Sequence, residues 1–151
     1  MPARERAIDL TGDVAFITGA GGGMGRGIAR ALAKWGAKVA LADINADAVA
    51  ETLREVEADG GEGQAYPLDI TSAEEVAQVV KACVHEFGGI DLLVNAAGIL
   101  IYGSVADSKP ADWYRVMDVN INGIYLVSRE VTKTMIARGT PASIVSISSS
   151  A

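Results

Sequence analysis

Val14-Ala15-Phe16-Ile17-Thr18-Gly19-Ala20-Gly21-Gly22-Gly23-Met24-Gly25 is the stretch from which the rest of the chain can be read. Its first five residues form a short apolar run of the kind that makes a strand buried on both faces. The glycines after it need a tight turn, and positions 24, 28, 29, 32 and 35 then repeat at helical spacing until Gly36. Strand, glycine turn and helix in that order set unpaired N–H groups of a helix N-terminus beside the end of a buried strand, where an anion is favoured. The run carries no Walker A lysine, because its glycines lead into Met24, Gly25 and Arg26; a nucleoside-triphosphate loop is excluded on residue type. It does not fit G-x-G-x-x-G either, since Met24 occupies the third glycine position, but it does fit T-G-x-x-x-G-x-G. Taken alone, the glycines could serve only the turn.

Working outward, the same alternation of periods recurs to the end of the chain. A second strand is expected over 38–43, a helix over about 46–58 closing at Gly60-Gly61, and a weaker third strand over 64–68 whose Pro67 suits a sheet edge. Ser72 and Glu75 form a capping-box pair that opens a helix running to about Phe87, with Gly88-Gly89 as its stop. A fourth strand is expected over 90–94, a long helix from Pro110 to about Arg138, and a fifth strand over 143–147. The β-α-β-α-β-α-β-α-β series demands right-handed crossovers and a parallel, doubly wound α/β sheet. Strand order 3-2-1-4-5 fits it best, with the ligand crevice at the switch between the first and fourth strands. The turns after Thr18 and at Asn95-Ala96-Ala97-Gly98 would flank that crevice.

Length and composition bound the function. The 151 residues suit one domain, 1–151, and half of them are hydrophobic. A formal net charge of −6 with no basic run disfavours nucleic acid as a partner. The one cysteine, Cys83, leaves no internal disulfide and reads as a small buried apolar group, which suits a reducing cytoplasm. His85, the one histidine, lies at an expected helix end and reads as solvated, leaving no metal cluster and no Ser-His-Asp triad to build. Residues 1–6 lead into no apolar leader segment, and no run approaches membrane-spanning length, so secretion and membrane insertion are not expected.

Asp43 closes the second strand about twenty residues beyond the glycines, where a carboxylate can accept both hydroxyl protons of an adenine ribose. Together with the glycine turn it resembles the short-chain dehydrogenase/reductase pattern, and later residues extend the likeness over nearly the whole chain. Leu68-Asp69-Ile70-Thr71 is similar to the family's third-strand end, Asn95-Ala96-Ala97-Gly98 to its N-N-A-G turn with Ala96 in place of the second Asn, and 113–120 to its long-helix segment with Asn120 as the family Asn. Ile144-Val145-Ser146-Ile147-Ser148-Ser149 resembles the strand that carries the catalytic serine, in a register that implies Ser149.

The resemblance implies a Rossmann-like fold and hydride transfer between a nicotinamide and a carbonyl/alcohol substrate. It implies cofactor binding by Thr18, Gly19, Gly21, Gly22, Gly23, Met24 and Gly25, by Asp43, Asp69 and Ile70, and by Asn95, Ala96 and Gly98. NAD rather than NADP is expected, because Asp43 would repel a 2′-phosphate. Ser149 and Asn120 are the implied catalytic residues, although Asn120 could also be a buried amide at a helix kink and the serine run ordinary loop chemistry. The family's Tyr-x-x-x-Lys pair is missing: Tyr66, Tyr102, Tyr114 and Tyr125 are followed four residues on by Ile70, Ala106, Asp118 and Arg129. The chain thus reads as the cofactor half of a longer enzyme, inactive alone; a non-catalytic dinucleotide-binding module is the alternative. Homo-oligomer formation through the 110–138 helix is expected, with Ile121, Ile124, Val127 and Val131 as an uncovered apolar stripe.

Overall fold

The computed structural model describes residues 8–149; the amino-terminal residues read for a leader lie outside them. Five strands, β1 (Val14–Thr18), β2 (Lys38–Asp43), β3 (Gly63–Pro67), β4 (Leu92–Asn95) and β5 (Ser143–Ser146), form one parallel sheet in the order β3-β2-β1-β4-β5. The helices between them are α1 (Gly23–Lys34), α2 (Ala46–Ala58), α3 (Ala73–Phe87), α4 (Pro110–Met117) and α5 (Ile124–Arg138). The expected doubly wound architecture and strand order are both present. β1 lies at the centre, all five of its residues buried, as its uninterrupted apolar run requires. One core layer gathers Phe16, Leu93, Val76, Cys83, Val127 and Val131 on the α3–α5 side, and the other gathers Ile17, Val39, Leu41, Ala29, Val49 and Val56 on the α1–α2 side.

Several expectations shift in detail. β3 pairs only with β2, so Pro67 does stand on an edge strand where its missing N–H leaves no gap in the ladder. β4 begins two residues later than expected and extends to Asn95. Asp91, just before it, is drawn into other work: its carboxylate accepts the Val14 N–H at 2.9 Å and an Arg138 guanidinium N–H at 2.7 Å. The capping box is half built. Ser72 Oγ accepts the Glu75 N–H, but the Glu75 carboxylate reaches the Asp69 N–H instead of returning to Ser72. Met24 is 65% exposed rather than part of the α1 core stripe, because in the first turn of α1 it is the neighbouring Gly25 that is buried.

The long helix expected over 110–138 is two α-helices joined by a π turn, Asp118–Gly123. The extra residue in that turn rotates α5 relative to α4. Gly123 is buried against Ile70, and a Cβ there would lie 2.7 Å from the Ile70 side chain, so a larger residue would force that side chain to shift. The rotation corrects the expected apolar stripe. Val127, Val131 and Met135, at helical spacing, face the sheet and are buried, while Ile121, Tyr125 and Ile136 are exposed. Cys83 is buried as read, and burial pushes its thiol up to about 12. His85 is exposed in the last turn of α3.

Candidate functional site

The site lies where the strand order reverses, at the carboxyl ends of β1 and β4. Gly19 ends β1 in the left-handed region at φ +68, and a Cβ on it would meet Ala97 backbone at 2.7 Å, so the two turns touch at a point only glycine can occupy. Thr18 ties them together. Its Oγ1 accepts the N–H groups of Ala96 and Ala97 at 3.2 and 3.3 Å and is itself buried. Asn95, also buried, donates from Nδ2 to the Ser128 and Ser146 hydroxyls, joining β4 to α5 and β5. Thr18 and Asn95 therefore act inside the scaffold of the turns. Ala96 keeps a backbone bond where the family's second Asn would add a side-chain amide.

At the start of α1 the N–H groups are sorted by the turn. Gly21 donates to Asp43 Oδ2 at 2.9 Å, Gly22 to the Gly19 carbonyl at 3.1 Å and Arg26 to the Gly22 carbonyl at 2.8 Å. Those of Gly23, Met24 and Gly25 fall in the first turn, where no intrahelical acceptor exists, and no acid stands in that turn. The opposite side of the turn is held by α2. The buried Thr52 hydroxyl donates to the Ala20 carbonyl at 2.8 Å, and Arg26 bridges the Gly21 carbonyl, Thr52 and Glu55. Gly25 packs so closely that a Cβ would lie 2.1 Å from the Gly19 carbonyl oxygen. Three amides presented at a helix N-terminus, with carbonyls tied back, fit a pyrophosphate.

Asp43 is fixed rather than mobile. One carboxylate oxygen takes the Gly21 N–H and the other the Asn45 N–H, each at 2.9 Å, while Asn45 itself caps α2 by accepting from Ala48. An ionised carboxylate still has lone pairs for two hydroxyl donors. Asp69 is held in a tight turn by the Thr71 N–H and hydroxyl.

A cleft of about 260 Å³ runs between these groups, near the lower end of the roughly 300–1,000 Å³ common for small-molecule sites. It brings together Gly19, Gly22, Asp43, Asp69, Ile70, Ala96 and Gly98, all expected at the site from sequence. Ile44, Leu68, Ala97, Ile99, Arg115 and Val119 line it as well, and were not singled out from sequence. Gly21, Gly23, Met24 and Gly25 border the glycine turn rather than the cleft lining. Asn120, in the π turn, bonds Ile99 both ways, accepting its N–H at 2.8 Å and donating to its carbonyl at 2.9 Å. These bonds hold the part-buried Asn120 side chain beside Gly98. Ser149 is exposed in the irregular segment after β5. No group of three or more His, Cys, Asp or Glu suited to a metal occurs among the described residues, and no described helix is long and apolar enough to cross a membrane.

A doubly wound parallel sheet in the order 3-2-1-4-5, with a glycine turn and a fixed carboxylate at its switch point, is a Rossmann-like α/β fold. The family model for short chain dehydrogenases matches residues 13–151, and the chain belongs to that family. It is 34% identical over 142 residues to 2,3-dihydro-2,3-dihydroxybenzoate dehydrogenase of Bacillus subtilis and 39% identical over 142 residues to galactitol 2-dehydrogenase of Agrobacterium fabrum, covering 94% of this chain and 54% of each relative. Among solved structures, NAD+-bound xylitol dehydrogenase superposes with a TM-score of 0.88 at 36% identity, over 91% of this chain and 53% of that one. The chain thus spans about half the length of the curated relatives it matches.

Proposed function

We propose that this chain is the cofactor-binding half of an NAD-dependent oxidoreductase that interconverts an alcohol and a carbonyl. The observation that carries the NAD preference is the Asp43 carboxylate, held in place by two backbone N–H groups. A carboxylate so anchored receives the two ribose hydroxyls and cannot swing away from a 2′-phosphate. At about 4 Å and an effective dielectric near 20, that repulsion is on the order of 4 kcal/mol per unit charge pair, which disfavours NADP by hundreds-fold or more before screening. Neither Ile44 nor Asn45 supplies a compensating cation, and Arg26 is engaged by Glu51 and Glu55.

When bound, the nicotinamide supplies or accepts the hydride. The chain's residues orient it: the amides of 23–25 seat the pyrophosphate, Asp43 the ribose, and Asp69 with Ile70 the adenine end. Ser149 would hydrogen-bond the substrate oxygen. Asn120 holds Ile99 and so the wall that Gly98 and Ile99 form, and the Tyr-x-x-x-Lys pair that would carry the proton does not occur in these 151 residues. Outward-facing Ile121, Tyr125 and Ile136 on the 118–138 segment suit a homo-oligomer. Calorimetric titration of the enzyme containing this segment should show NAD binding far more tightly than NADP, with Asp43→Ala narrowing the gap. Equal affinities in the wild type would refute the NAD assignment.

A further inference from the structure

Four described arginines are paired with carboxylates: Arg26 with Glu51 and Glu55, Arg30 with Glu55 and Asp59, Arg129 with Glu130, and Arg138 with Asp91. Arg115 makes no such pair, although Asp112 and Asp118 stand one helical turn away on either side of it. Unlike Arg54, also unpaired, it lines the cleft. It is the one cation that does so among the described residues, beside the two carboxylates of Asp43 and Asp69.

Its neighbours indicate which part of a dinucleotide it meets. Arg115 on α4 and Val119 in the adjoining π turn both line the cleft, and the π turn packs Gly123 on Ile70, three residues beyond β3. β3, which Ile70 follows, stands two places from β1 in the sheet, roughly 10 Å at the usual strand spacing, whereas the amides that seat the pyrophosphate follow β1. The cleft that Arg115 lines also carries the apolar side chains of Leu68, Ile70 and Val119 and the acceptor Asp69, a combination that suits a purine carrying an amino group. A guanidinium is planar, weakly hydrated and able to stack on an aromatic face as an ammonium cannot.

Resting on the reading of the cleft as a dinucleotide site, we infer that Arg115 is a further cofactor-binding residue, stacking on the adenine base and closing the recess formed by Leu68, Ile70 and Val119.

The test is calorimetry on the full chain with ADP-ribose, AMP and nicotinamide mononucleotide. Because Arg115 is exposed, its variants should keep the wild-type circular dichroism and melting temperature. Arg115→Ala should weaken ADP-ribose and AMP about tenfold, the scale of a desolvated cation–π contact, and leave nicotinamide mononucleotide unchanged. Arg115→Lys should recover only part of the lost affinity, because an ammonium keeps the charge but not the planar stacking face. Wild-type affinity in Arg115→Ala, or full rescue by lysine, would overturn the stacking role while leaving the cofactor site intact. A wild-type chain that binds none of the adenosine ligands would overturn the inference together with the reading beneath it.

Discussion

The glycines of the nucleotide turn differ sharply in what they can tolerate. A methyl group on Gly25 would sit 2.1 Å from the Gly19 carbonyl oxygen, a rigid backbone atom, whereas nothing lies within 4 Å of one on Gly23. Gly25→Ala should therefore cost about 1–3 kcal/mol of stability or more, and Gly23→Ala close to nothing, as thermal melts of the two variants would show. Cys83 gives a pH signature. Its thiol is raised by burial from 9.0 to about 12, so the folded state keeps a proton that the unfolded state releases. The stabilisation is complete below pH 9 and declines as pH rises toward 12, with a slope of at most about 1.4 kcal/mol per unit. Denaturant unfolding between pH 8 and 11 should reveal the decline, and Cys83→Ala should lessen it, leaving the part that the half-buried Tyr66 hydroxyl, raised from 10.0 to about 12, contributes above pH 10. The same burial should keep the thiol inert to alkylation until the chain unfolds.

At the scale of elements, the π turn organises the site more than any helix does. It aims Asn120 at Ile99 and seats Gly123 on Ile70, so one irregular segment braces two walls of the cleft. Asn120→Ala should leave the Ile99 N–H and carbonyl without those partners, lower stability by about 1–3 kcal/mol and weaken NAD binding through the loosened wall, measured by melting and titration on the same preparation. This segment also marks the limit of what could be read from sequence. The strands, the order of the sheet, the glycine turn and Asp43 were legible because apolar periods of two kinds alternate cleanly and Gly, Asp and Asn sit at strand ends. The burial of Val127 and Val131 was not, because 121–136 carries apolar residues on more than one face and the face that meets the sheet depends on a local rewinding that periodicity does not encode. Arg115 and Val119 were missed because no motif marks them: they reach the cleft from α4 and the π turn.

For the molecule as a whole, the sheet ends on β5, all four of whose residues are exposed, with Ile144 and Val145 at 46% and 50%. Its outer edge has no strand partner among the described residues, and such an edge recruits strands from other chains. The isolated 151-residue chain should thus self-associate at micromolar concentration, and Ile144→Lys should reduce the scattering. It should also bind NAD without oxidising secondary alcohols, since no tyrosine in it is followed by a lysine four residues on; NADH formation that vanishes in Ser149→Ala would contradict this. The place of β1 in the sheet has one more consequence, in time rather than space. β1 can pair with β2 early, but its other neighbour, β4, is contributed by a segment 78 residues further along, as the bond between Thr18 and Ala96 records. At 5–20 residues per second on a ribosome, that separation is roughly 4–16 s of synthesis. Throughout it the most hydrophobic strand of the protein has one bare edge and the nucleotide turn only one wall, so a newly made chain needs shelter there before a ligand can hold it closed.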